Sequence, residues 1–126
     1  MRLHSRVIFA RLVCGAFLGA IAALVVADEP KRKEQGKIDA LLQLVETSEG
    51  LVFIRNGLEW PREAAIYHMR NKLKSAGDKI QTADEFIEQC ATKSNKTGEV
   101  YQIKTADGKT VPSADWLRQE LKKLNR

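Results

Sequence analysis

Among residues 28–126, His68 is the single histidine, and it is the side chain best suited to proton chemistry near neutral pH. It stands four residues before Lys72, with Glu63 and Tyr67 close by, so a helix would set imidazole and ammonium on one flank. General-base use requires a partner and a cleft, which no residue pattern supplies. The plainer reading is a half-buried histidine bonding a backbone carbonyl. Cys90 paired with His68 would make a nucleophile and its base, but Cys90 shares an apolar helix face with Phe86 and Ile87. An unpaired cysteine in such a setting behaves as a small hydrophobe. His68, Cys90 and scattered carboxylates match no metal-ligand spacing, and no cofactor motif is present, so neither a metal nor a cofactor is expected. Arg55 and Asn56 at a hairpin tip suit the clamping of a carboxylate or phosphate, with Lys72 and Ser94 brought near by folding. Against this, Asn56 also suits turn geometry and Arg55 a solvated strand end. Trp60 and Trp116 are candidates for a partner surface, because on an ideal helix Trp116 lies about 100° from the Leu117, Leu121 and Leu124 stripe. Trp116 equally suits capping the core against a hairpin.

The elements that must hold these residues follow from periodicity. Ile38, Leu41, Leu42 and Val45 share one helical face, and Gly50 ends the pattern. The β-branched and aromatic run 51–55, then Asn56-Gly57, then Leu58 to Trp60 predicts a hairpin with a two-residue turn. Pro61 opens a second helix reaching about Ala76, with Ala65, Ile66, Met69, Leu73 and Ala76 inward. Thr82 and Glu85 have the form of a capping box for a third helix carrying Phe86, Ile87 and Cys90 and ending near Thr92. After a loop over 94–98, residues 100–104 alternate as a strand, Asp107-Gly108 turns, and 109–111 returns. Pro112-Ser113 leads into a last helix, with Ser113 expected as its N-cap. The fold class is α+β, a small antiparallel sheet from two hairpins covered by about four helices.

The N-terminus has the three parts of an export signal. Arg2, His4, Arg6 and Arg11 make a basic start without acids, and residues 12–27 are uncharged and apolar. That run is short of the roughly 20 residues that span a bilayer comfortably. Val25 and Ala27 place small residues before a cut at Asp28, where the composition turns polar. The expected organisation is a signal peptide over 1–27, a charged leader over 28–36 and one α+β domain over 37–126. An uncleaved anchor is the rival. Three of the 21 Lys and Arg lie before Asp28, leaving 18 against 16 acidic residues. A near-neutral exported domain carries no electrostatic footprint for nucleic acid. Cys90 is its only cysteine, so packing rather than a disulfide must hold it. Asn95-Lys96-Thr97 matches a glycosylation sequon and is read as coincidence in a chain with a bacterial type of signal.

Several segments, in order, resemble the bacterial domain-of-unknown-function family 5329, small exported proteins without an assigned activity. They are Phe53-Ile54-Arg55-Asn56-Gly57, Glu63-Ala64-Ala65 with His68-Met69-Arg70 and Lys72, Thr82 to Ile87, Ser94 with Gly98 and Tyr101, and Pro112-Ser113 with Trp116-Leu117. Met69 stands where the pattern has Leu, and Trp60 where it has Tyr. The resemblance implies export and a fold, without a reaction.

Together these features favour a periplasmic or secreted binding or accessory module without catalysis. It would recognise an envelope protein or a small anionic ligand through Arg55, Asn56, His68, Lys72 and Ser94. The alternative is a small hydrolase or transferase using His68 as general base.

Overall fold

A computed structural model describes residues 28–126. The expected signal peptide and its cleavage point lie outside the described residues. The chain divides into two compact units, residues 1–32 and Lys33–Arg126. Of the first, residues 28–32 are helical and exposed. Among the described residues, no helix is long and apolar enough to cross a membrane.

The second unit opens on helix α1, residues 33–47. Its charged beginning is helical where apolar spacing alone starts the helix near Lys37. One ion pair and one side-chain hydrogen bond support this stretch: Lys37 meets Glu34 at 2.9 Å, and Gln35 donates to Asp39 at 3.2 Å. Beyond it, Ile38, Leu41, Leu42 and Val45 are buried as their spacing requires. Gly50 then takes φ +75°, and a Cβ there would lie 2.9 Å from the Cβ of Ala106. Glycine thus serves both a left-handed turn and a close approach of two loops.

Strands β1 (Val52–Arg55) and β2 (Leu58–Trp60) form the first hairpin. Its turn residues Asn56 and Gly57 both have positive φ, the geometry that follows the natural strand twist. Strands β3 (Gln102–Lys104) and β4 (Thr110–Pro112) form the second, and the Asp107 carboxylate accepts from the Lys109 N–H at 3.1 Å across its turn. The hairpins join through β1 and β3 into a sheet of order β2-β1-β3-β4, antiparallel throughout. Alternation gives the sheet two faces. Phe53, Trp60, Ile103 and Val111 lie in one row of the register and face the helices; Ile54, Glu59, Gln102 and Lys104 face away. On the outer face Lys104 pairs with Glu59 at 2.5 Å.

Helix α2 (Arg62–Ala76) packs on β1, helix α4 (Ser113–Leu124) on β3 and β4, and helix α3 (Ala83–Cys90) against both helices. A 3-10 turn, Gly77–Lys79, links α2 to α3. Thr82 caps α3 as expected, the Glu85 N–H donating to its Oγ1 at 3.1 Å, while the Glu85 carboxylate accepts from the Thr82 hydroxyl at 3.2 Å, so only the N-cap half of the expected capping box forms. The fourth helix differs at its start. Pro112 occupies the N-cap position and Ser113 is the first helical residue, its hydroxyl buried without a partner while its N–H donates to the Tyr101 carbonyl at 2.8 Å. That tie to Tyr101 sets the helix entry, so Ser113 is not a side-chain cap. Leu117 and Leu121 are buried, whereas Leu124, the last residue of the helix, is 46% exposed.

Candidate functional site

The candidate site gathers on the helix-facing side of the sheet, beginning at Arg55, the last residue of β1 before the Asn56-Gly57 turn. Arg55 follows Phe53 by two residues and so shares its face. The β1–β3 register, continued by one step, sets Tyr101 opposite Arg55. The Arg55 guanidinium lies over the Trp60 ring at 5.0 Å, a cation–π contact between diagonal neighbours on paired strands. Helix α2 runs beneath and presents His68 and Lys72 one turn apart.

Tyr101 ties these groups together. Lys72 Nζ donates to its hydroxyl at 3.1 Å and to the Lys93 carbonyl at 3.1 Å, and His68 Nε2 lies 3.0 Å from the same hydroxyl. An ammonium has only donors, so the phenolic oxygen accepts from Lys72 and its O–H is free to donate to a neutral His68 Nε2. The His68 imidazole is held below its ordinary pKa of 6.5, first by burial and then by the charges of Arg55 and Lys72. Neither cation has a carboxylate within ion-pair distance among the described residues. The Arg55 Nε is, moreover, buried without an acceptor. Phe53, Ala65 and Met69 complete a small apolar recess beside Arg55, Trp60, His68 and Tyr101.

Arg55, His68 and Lys72 therefore converge, and Trp60 joins them as the platform under Arg55. Asn56 stays at the exposed hairpin tip, where its Oδ1 accepts from the Thr97 hydroxyl at 2.6 Å. Ser94 is buried, and its hydroxyl accepts from the N–H groups of Lys96 and Thr97 within its own loop. It shapes the loop that carries Lys93 and Asn95 rather than reaching the cation cluster. Trp116 is half-buried and packs against the core on α4. Tyr101 is the member that residue-type reasoning passed over. Its signal was present, since a tyrosine starting an inward-facing alternation must find a partner for its hydroxyl. His68 accordingly meets a phenol, where the sequence suggested a backbone carbonyl.

Cys90 is buried at the end of α3 and free of any disulfide. Burial pushes its thiol up to about 11, with Lys72 opposing the shift. Thiolate is the reactive form, so native protein should react slowly with a thiol reagent at pH 8 and rapidly once unfolded. Rapid labelling of the folded protein would contradict this placement. Among the described residues, no group of three or more His, Cys, Asp or Glu is arranged to hold a metal ion.

Comparison with known proteins places this arrangement in a family. No solved structure matches the chain. An uncharacterized protein, YfeK of Salmonella typhimurium, is 32% identical over 91 residues, spanning 72% of this chain and 75% of that one. A family model described as a family of unknown function, DUF5329, matches residues 32–125, the stretch that holds the whole cation cluster. The chain belongs to the DUF5329 family.

Proposed function

We propose that this protein is an exported, non-catalytic binding module that captures a small anionic ligand at the cation cluster beside the turn of its first hairpin. The observation that supports this reading is charge without compensation: Arg55 and Lys72 flank a neutral His68, and neither has a carboxylate partner among the described residues. Like charges held together in a folded domain raise its free energy, and an anion relieves that cost. The Arg55 Nε–H is itself buried without an acceptor, so the guanidinium is poorly compensated on its protein side as well. Trp60 fixes the guanidinium plane and Tyr101 fixes Lys72, so the donors are oriented before ligand arrives.

The test begins with protein recovered from the cell envelope after expression of the full chain, whose intact mass should start at Asp28. Titration with sodium sulfate or sodium acetate, followed by amide and side-chain NMR, should perturb Arg55 Nε, His68 and Tyr101 saturably. Uniform or absent perturbation would reject the reading. A mass that retains residues 1–27 would reject processing at Asp28.

A further inference from the structure

His68 also lines a second and larger depression, of about 410 Å3, between α2, the turn after it, α3 and the 94–98 loop. A volume of this size falls within the range of about 300–1,000 Å3 that small-molecule sites occupy. Its lining is mixed, with Ala76 and Cys90 as apolar wall and the remaining groups polar. Asn71, Gln89 and Asn95 supply amides, each with donors and an acceptor, while Lys72 and Lys79 supply ammonium groups. Among the described residues no carboxylate lines it. His68 and Lys72 border this groove and also belong to the cation cluster, so one ligand can place its anionic head at the cluster and its body along the groove. Groups that both donate and accept are the complement of hydroxyls, which do the same. Asn95 is held in place by the loop closure at Ser94, whose hydroxyl takes two backbone N–H groups and whose N–H donates to the Glu99 carbonyl at 2.9 Å.

We infer that the ligand is a polyhydroxylated anion, a sugar bearing a carboxylate or phosphate, with its hydroxyls on Asn71, Gln89 and Asn95 and its charge between His68 and Lys72. This inference rests on the anion-binding reading above and specifies its ligand. The discriminating experiment is calorimetry on the protein from the envelope fraction with four probes: glucuronic acid, glucose 6-phosphate, glucose and sodium sulfate. Either sugar anion should bind at least tenfold more tightly than sulfate, and glucose alone should bind more weakly than both; which head binds tighter identifies the charged group. The Asn71→Ala, Asn95→Ala double variant, altered at two exposed positions, should lose most of the tenfold gain and keep its sulfate affinity. Sulfate binding with no gain for either sugar anion overturns the inference and leaves the anion site standing. Failure of all four probes overturns both. A double variant that retains the full gain also overturns the inference, because the amides would then play no part.

Discussion

Truncating Phe86 to alanine should cost about 3–5 kcal/mol, the range for removing a buried aromatic side chain, and so remove a large share of the stability of a domain whose total is about 5–15 kcal/mol. Phe86 is fully enclosed at the centre of α3, a helix of eight residues whose Ala83, Phe86, Ile87 and Cys90 are all buried. That helix is wedged between α2 and α4, so the space left by the ring borders both of the helices that cover the sheet. The chain has no disulfide among its described residues to limit the unfolded ensemble. The polar links around α3 are few and exposed, such as the Arg118 to Glu88 pair at 3.0 Å, and pairs of that kind contribute about 0–1 kcal/mol. Urea unfolding followed by circular dichroism measures the loss. Tyr67→Ala, at a side chain 70% exposed, should fall within about 0.5 kcal/mol of the parent. A Phe86→Ala variant with a midpoint close to that of Tyr67→Ala would mean that α3 is not the keystone of the core.

The second large effect concerns Arg55. Arg55→Ala should weaken sulfate binding by about 10- to 100-fold, the equivalent of one hydrogen bond to a charged group at about 1.5–3 kcal/mol. Arg55→Lys should recover only part of this. A lysine keeps the charge but loses the planar fork and the stacking on Trp60 that aims it. Lys72→Met should also weaken binding, and it removes the donor to the Tyr101 hydroxyl and to the Lys93 carbonyl as well. Arg55→Ala leaves the core untouched, so its unfolding midpoint separates lost binding from lost structure. Unchanged sulfate affinity in a folded Arg55→Ala protein would remove this residue from the site.

Local chemistry made both hairpins readable. Asn56-Gly57 and Asp107-Gly108 each join two short β-forming runs, and the stripes of α1 and α2 match their buried faces. The edge-to-edge pairing of the hairpins was a choice among arrangements, and the β1–β3 register that realises it depends on contacts some fifty residues apart. The charged beginning of α1 lacks apolar spacing and is supported by an ion pair, Lys37 with Glu34, so periodicity alone places it in a leader. Pro112 displaced Ser113 from the cap because the Ser113 N–H is engaged by the Tyr101 carbonyl, a tertiary bond that no local motif announces. The cluster was half legible for a similar reason. Arg55, His68 and Lys72 attract notice as polar residues near turns and helix flanks, but Tyr101 joins them only through the sheet register. Ser94 has the residue type of a ligand-binding hydroxyl, but that hydroxyl accepts from two backbone N–H groups within its own loop.

The titration of His68 tests most directly the proposed seat of an anion among Arg55, His68 and Lys72. Below pH 6.5 the unfolded chain takes up a proton that the folded protein resists, so His68 contributes stability that is present above 6.5 and is lost as pH falls toward its lowered value. A bound anion reverses the electrostatics. It offsets Arg55 and Lys72, raises the imidazole pKa, and so must bind more tightly as pH falls through that range. A protonated His68 would donate to the Tyr101 oxygen, turning the phenolic O–H toward the anion. In protein cleaved before Asp28, His68 is the only histidine, and its ring proton gives a single titrating signal. Followed by NMR at matched ionic strength, its midpoint should lie below 6.5 in sodium chloride and move upward in sodium sulfate. An identical midpoint in the two salts would contradict the site.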